Sequence, residues 1–338
     1  MQSLRTLLSG SLSLALGLAF TGVAAPRVAS ADPVVIKLGT LAPKGTPWET
    51  LLKQMSQDWT RLSNGQVTLR IYAGGTLGNE GDMVKKMRVG QLQAAALTTI
   101  GLHDISPDPL GLDVPMLIDN DAQLEFVRAR VAPSLEKKIE DKGFVVLAWS
   151  EIGFVRFFSS KKYESIKALE EGGKVFCWEG DPGSAEAWRA AGFHPVVISS
   201  TDIVSSLQTG MLDTIAATPL YAYTSQYSQK ARFMIDTPWS PLTGAMVVKK
   251  DAWEKIPADV RAKLLESVKE TGKKIDIEVR RMDAEAMKSM KAQGLTVVKG
   301  DPAEMLVAAK AAWKVLRGKV VPADTFDAVQ KAATESKK

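Results

Sequence analysis

Strands and helices alternate after the N-terminal stretch, and this alternation limits the fold more than any other feature of the sequence. Residues 34–38 and 67–72 have the composition of strands, and residues 92–97 form a mostly apolar run suited to a buried strand. A helix begins at Pro47, and its apolar residues fall on one face: Trp48, Leu51, Leu52, Met55, Trp59 and Leu62. A second helix ends before Gly90. This β-α-β-α-β order predicts a parallel sheet covered by helices on both faces.

The same alternation continues through the rest of the chain. Further strands are predicted at residues 144–149, 174–178, 195–198, 215–218 and 245–248. Further helices are predicted at residues 122–142 with a restart at Pro133, at 184–191, in a short segment ending at Gly210, in a long segment over 257–293, and in two shorter segments at the end. Because no Ser/Gly-rich hinge separates the halves, we expect strands and the long helix to join them.

The N-terminal stretch has the three parts of a secretory signal peptide. Arg5 precedes an apolar run over residues 7–25, which is followed by Ala29-Ser30-Ala31. An uncleaved membrane anchor is the alternative, but the run is broken by Ser and Gly and is short for the roughly 20 residues that a spanning helix needs. We expect cleavage after Ala31, with a soluble mature protein in the periplasm.

Composition argues against several classes of partner. The chain has 43 Lys and Arg and 38 Asp and Glu residues, mixed along the sequence, for a formal net charge of +5. It has no basic run or Arg/aromatic stripe, so we expect no nucleic-acid partner. Cys177 is the single cysteine, which rules out an intramolecular disulfide, and its apolar neighbours favour a buried, inert thiol.

The sequence contains no recognisable catalytic constellation. His103 and His194 are the only histidines, and neither has a second His or a Cys at metal-ligand spacing. The nucleophile-elbow, dinucleotide-binding and P-loop motifs are absent. We therefore expect no enzyme activity, catalytic residue, metal or cofactor. An enzyme on the same scaffold would need titratable groups clustered in a cleft.

Four segments together carry a family resemblance. They are Leu77-Gly78-Asn79-Glu80, Gly153-Phe154-Val155-Arg156, the segment 207–213 (LQTGMLD), and the segment 248–257 (VKKDAWEKIP) that precedes the long helix. In this order they resemble the substrate-binding subunits of tripartite ATP-independent periplasmic (TRAP) transporters, the DctP-like family. The resemblance extends over the whole mature chain.

The resemblance implies an α/β, two-lobed periplasmic-binding-protein fold with a long helix that spans both lobes. It implies a signal peptide at 1–31, a first lobe mainly at 32–151 and a second mainly at 152–245. Residues 246–338 would supply the returning strand, the spanning helix and the C-terminal helices. The ligand would be captured by lobe closure and delivered to the small and large membrane subunits of a TRAP transporter. A periplasmic ligand sensor for a signalling partner, with the same fold, is the alternative.

The sequence departs from the family at the ligand site. Where typical members carry an arginine that clamps the ligand carboxylate, this chain has Phe176. Ala216 and Ala217 occupy positions near the polar residue that the family uses next. Arg156 matches the family's other cleft arginine, although an interlobe or surface ion pair is an equal alternative.

These comparisons give a set of candidate ligand-binding residues: Arg156, Phe176, Trp178, Glu179, Ala217, Thr218, Thr98, Trp48, Trp149 and Asn79. The aromatic members predict a small organic ligand that is bulkier and more apolar than a C4-dicarboxylate or a sugar acid. A carboxylic acid with a large apolar part and its acidic end at Arg156 is one candidate. The competing interpretation places Phe176 and Trp48 in the core.

Overall fold

The computed structural model describes residues 33–179 and 183–337. The predicted signal peptide and the cleavage site after Ala31 lie outside these residues. Within them, no helix combines the length and the apolar character that crossing a bilayer requires.

Strands and helices follow one another closely along the described residues. The strands are β1 Val34–Thr40, β2 Val67–Tyr72, β3 Ala94–Thr98, β4 Phe144–Ser159, β5 Lys174–Trp178, β6 His194–Ile198, β7 Thr214–Ala217, β8 Phe233–Lys249 and β9 Thr296–Val298. The helices are α1 Pro47–Leu62, α2 Glu80–Arg88, α3 Thr99–His103, α4 Asp121–Glu140, α5 Ile166–Gly172, α6 Ser184–Ala190, α7 Ile203–Thr209, α8 Pro219–Thr224, α9 Lys250–Glu254, α10 Ala258–Ala292, α11 Pro302–Val315 and α12 Ala323–Glu335.

All the strands belong to one mixed sheet. Its order is β2-β1-β3-β8-β4-β7-β5-β6, and β9 pairs beside β8. The pairs β1–β2, β1–β3, β5–β6 and β5–β7 are parallel, as the strand–helix alternation predicts. The prediction of a parallel sheet is wrong at the centre, where β8 runs antiparallel to β3 and β4, and β4 runs antiparallel to β7.

Strands β4 and β8 are much longer than their sequence suggests. They pair along nearly their whole length, from Phe144 opposite Lys249 to Ser159 opposite Phe233. The sequence indicated only residues 144–149 and 245–248, because Gly153, Pro238 and Pro241 interrupt the strand pattern. The pairing accommodates them with three register shifts along β4.

The long helix α10 packs against both halves of the sheet, as the two-lobed fold requires. Near its start Leu264 lies in the hydrophobic cluster of α1, β1 and β2, and near its end Met290 lies in the cluster around β7. Its 35 residues match the predicted long segment. Helix α4, in contrast, does not restart at Pro133 but runs through it. Pro133 is exposed, so water can hydrate the carbonyl group that loses its partner.

Candidate functional site

A cavity of about 800 Å³ lies along the strands that cross between the lobes. Residues from β3, β4 and β8 line it together with residues from β5 and β7, so both halves of the sheet contribute walls. Its volume falls within the range of ligand sites for small organic molecules, about 300–1,000 Å³.

Aromatic side chains form much of the cavity wall. Five of the eight tryptophans in the chain line it, together with Phe176 and Tyr221. The tryptophans are Trp48, Trp149, Trp178, Trp188 and Trp239. Trp188 stacks on Trp239, with ring centroids 5.6 Å apart and the planes 16° from parallel. Aromatic rings of this kind give a large apolar surface that is fixed by its neighbours.

Seven of the ten candidate residues from the sequence line the cavity. They are Trp48, Thr98, Trp149, Phe176, Trp178, Ala217 and Thr218. Phe176 also packs against a buried cluster that includes Ile203 and Leu207, and Trp48 packs against Met282. Both residues therefore contribute to packing and to the wall, and their contact with a ligand stays a prediction.

Arg156 does not line the cavity, although its neighbour Val155 does. Its Nε donates a hydrogen bond to the Asp236 carbonyl oxygen over 3.0 Å, and Nη1 donates to the Phe154 carbonyl oxygen over 3.3 Å. Burial lowers the pKa of the Arg156 guanidinium, and Asp283 opposes that shift. Among the described residues its hydrogen bonds thus go to backbone carbonyl groups and not to a carboxylate, which the ion-pair alternative would require, and its role toward a ligand stays a prediction.

Asn79 and Glu179 also lie outside the cavity wall. Asn79 caps α2: its Oδ1 accepts from the Asp82 backbone N–H over 2.8 Å, and its own N–H donates back to the Asp82 carboxylate. Glu179 is exposed and follows the end of β5, where its N–H donates to the Ile198 carbonyl oxygen. The Asn79 side chain is thus used to start a helix.

Three carboxyl groups line the cavity and were missed from the sequence: Glu80, Asp113 and Glu151. Among the described residues that line it there is no Lys, Arg or His. Burial raises the pKa of Glu80, and it raises the pKa of Asp113 and of Glu151 to about 7 in each case. Glu80 stood inside a segment recognised from the family, whereas no local pattern marks Asp113 or Glu151.

Each carboxyl group is held by a specific set of donors. Thr98 donates to Glu80 from its backbone N–H over 2.8 Å and from its hydroxyl over 2.7 Å. Thr243 donates to Asp113 from its backbone N–H over 3.2 Å and from its hydroxyl over 2.8 Å, and the Thr99 hydroxyl donates as well. These groups are therefore well solvated by the protein despite their burial.

Glu151 is held by an ion pair. Arg280 on α10 donates from Nε and Nη2 to Glu151 Oε2, over 3.2 and 2.9 Å. Arg280 Nη2 also lies 2.8 Å from Glu125 Oε1, and its Nε lies 3.2 Å from Asp121 Oδ2. The side chain of Glu151 is only 2% exposed, so burial raises its pKa more strongly than Arg280 lowers it.

No group of three or more His, Cys, Asp or Glu residues within 33–179 and 183–337 is arranged to hold a metal ion. Cys177 is buried, as its apolar neighbours predict, with 2% of its surface exposed.

Comparison with known proteins gives a consistent result. Residues 38–319 match the model of the family described as bacterial extracellular solute-binding protein, family 7. The chain is 24% identical over 323 residues to the C4-dicarboxylate-binding periplasmic protein DctP of Rhodobacter capsulatus, covering 91% of this chain and 93% of the relative.

Solved TRAP periplasmic solute-binding proteins have the same fold. The structure from Haemophilus influenzae RdAW, with bound L-gulonate, superposes with a TM-score of 0.81 at 18% identity, covering 89% of this chain and 99% of the other. The structure from Desulfovibrio salexigens, with bound orotic acid, also gives a TM-score of 0.81, at 16% identity over 90% of this chain and 98% of the other.

Proposed function

We propose, from the premise that this chain belongs to family 7 of the bacterial extracellular solute-binding proteins, that it is the periplasmic receptor of a TRAP-type transporter for a substantially apolar ligand. The family consists of substrate-binding receptors. The observation that carries the ligand class is the cavity wall, which combines five tryptophans with no cationic side chain among its described residues.

The free-energy argument follows from that wall. Burying an unpaired carboxylate in a closed cleft costs several kcal/mol, and Phe176 stands where the family resemblance implies the arginine that would pair with it. Burial of apolar ligand surface against the aromatic wall contributes about 25 cal/mol per Å². A hydrophilic dicarboxylate or sugar acid should therefore bind poorly. A carboxylic acid with an apolar body would have to draw Arg156 away from its two carbonyl partners.

The mode of action that we propose is lobe closure around the ligand. The first lobe would be built mainly from residues 32–151 and the second mainly from 152–245, with β4, β8 and α10 joining them. Release would occur to the small and large membrane subunits, with the signal peptide removed after Ala31. Ligand-dependent uptake by cells that carry those subunits would distinguish the transport receptor from a periplasmic sensor.

A thermal-shift panel on the mature protein tests the ligand class. It contains C4-dicarboxylates, sugar acids, aromatic acids, longer-chain lipidic acids and neutral indole. A bound ligand stabilises the folded state by RT ln(1 + [L]/Kd), about 2.7 kcal/mol at a hundredfold excess over Kd. We expect the apolar members to raise Tm and the hydrophilic acids to leave it unchanged. Stabilisation by succinate or glucuronate, with none by the apolar members, would contradict the proposal.

A further inference from the structure

The three carboxyl groups of the cavity are each carried or bound by a residue of the central strands. Thr243 on β8 binds Asp113 and is paired in register with Glu151 on β4. The next residue of β8, Gly244, is paired with Thr98 on β3, and Thr98 binds Glu80. The strand residues that carry or bind the three carboxyl groups are therefore neighbours in the sheet, and all three carboxyl groups line the same cavity.

Glu151 differs from the other two in how its oxygens are used. Both oxygens of Glu80 and both oxygens of Asp113 accept hydrogen bonds from threonines. In Glu151, Arg280 binds Oε2 only, and Oε1 accepts no hydrogen bond from the described residues. A side chain that is 2% exposed and lines a cavity thus retains one free acceptor oxygen.

The charges behind the wall leave Glu151 in a negative environment. Arg280 is shared among Glu151, Asp121 and Glu125, and the nearby Arg128 pairs with Asp276 Oδ2 over 3.1 Å. Asp276 Oδ1 accepts from the Glu151 backbone N–H over 2.7 Å. Two guanidinium groups are therefore shared among four carboxyl groups, those of Glu151, Asp121, Glu125 and Asp276. The cavity wall adds Asp113 and Glu80, and its described residues include no cationic side chain.

An aromatic side chain leaves the same face of the sheet as Glu151 and lines the same cavity. Trp149 and Glu151 are two residues apart on β4, and the pairing with β8 is regular between them, so their side chains leave the same face of the sheet. The Trp149 Nε1 donates to Glu136 Oε1 over 2.9 Å, which holds the indole in place. A carboxylate beside an indole face binds a cation by charge and by cation–π attraction.

We propose that the ligand presents a protonated amine, or an equivalent cationic hydrogen-bond donor, to Glu151 Oε1 beside Trp149. This inference rests on the proposed function, because it assigns the polar end of the apolar ligand. The apolar body of the ligand would lie against the tryptophans in the rest of the cavity wall.

Three probes that share one aromatic body test the inference: tryptamine, the neutral alcohol tryptophol, and indole-3-acetate. Their affinities for the wild-type mature protein are measured by calorimetry. We expect tryptamine to bind about tenfold tighter than tryptophol, the scale of one charge-assisted hydrogen bond, with indole-3-acetate weakest.

The variant Glu151→Gln removes the charge with little change in shape. We expect it to reduce the affinity for tryptamine by about tenfold and to change that for tryptophol much less. Glu125→Gln removes another partner of Arg280 from outside the cavity and serves as the matched control, with both affinities retained. The comparison of the three probes on the wild type needs no variant, so poor folding of Glu151→Gln does not weaken the test.

The outcomes separate this inference from the proposed function. If tryptophol binds as well as tryptamine, the amine assignment is wrong and the apolar receptor stands. If indole-3-acetate binds tightest, the amine assignment is wrong and the apolar receptor stands. If none of the three probes binds at millimolar concentration, both are contradicted. A ligand released from the purified protein and identified by mass spectrometry as lacking a basic nitrogen would also overturn the amine assignment.

Discussion

At the scale of single residues, one substitution relative to the family pattern underlies the ligand class that we propose. Phe176 stands on β5 where the resemblance implies an arginine, and its ring lines the cavity. This change could be predicted, since no arginine occurs from Val175 to Trp178 in any register. No local pattern predicts Asp113 or Glu151, because their place at the wall depends on contacts between segments that are distant in the sequence.

Phe176→Arg should reverse the ligand preference. A guanidinium at this position can form two charge-assisted hydrogen bonds with a carboxylate, each contributing about 1.5–3 kcal/mol. We expect calorimetry to show a gain of about tenfold or more in affinity for glucuronate or succinate, and a loss for indole. Phe176→Met, which keeps apolar bulk without charge, should show no gain for the acids. A folded Phe176→Arg protein that binds neither glucuronate nor succinate would contradict the proposed role of this position in ligand selection.

At the scale of secondary-structure elements, the lengths of the two central strands were predicted least well from the sequence. Helix α1 and the long helix α10 were predicted closely, because their apolar residues recur at the helical period over many turns. The outer halves of β4 and β8 were missed because Gly and Pro break the local pattern, while pairing between β4 and β8 compensates for the break. Such strands are determined by contacts between residues far apart in the sequence, which a local pattern does not show.

Gly244 shows how tightly these strands approach one another. A Cβ atom at this position would lie 2.4 Å from the Leu97 carbonyl oxygen on β3, which is backbone and cannot rotate away. We expect Gly244→Ala to lower the free energy of unfolding by about 1–3 kcal/mol, the usual scale of overpacking, in chemical denaturation. Gly272→Ala on α10 is the control: its Cβ meets only ordinary contacts at 3.4 Å, and alanine favours the helix. Equal stability of the two variants would contradict the close approach.

At the scale of the whole molecule, the buried carboxyl groups should set the pH dependence of stability. Burial raises the pKa of Asp113 and Glu151 to about 7, and that of Asp283 to about 6, whereas in the unfolded chain such groups titrate near 4. The folded state therefore holds these protons while the unfolded state has lost them. The contribution of these groups to the free energy of unfolding is then present in full below about pH 4.5 and is lost as the pH rises toward 7.

Thermal unfolding at two pH values tests this dependence. We expect Tm to be higher at about pH 5 than at about pH 7.5, by roughly 2–4 °C for each kcal/mol involved. Asp113→Asn should reduce the difference, because the side chain no longer titrates. Asp324→Asn should leave it unchanged, since a hydrogen bond from Lys138 lowers the pKa of the exposed Asp324 and it titrates below this range. A Tm that rises between the two pH values in the wild type would contradict the assignment.

The two long strands have a consequence for how the molecule can be divided. Each of them contributes hydrogen bonds to the sheet of one lobe at one end and to the sheet of the other lobe at the opposite end. A fragment cut between the lobes would keep half of each strand and lose the partner that completes its edge. Neither lobe is therefore an independent module that could be exchanged with a homologue at one crossover point; a functional chimera has to carry both crossing strands from the same parent.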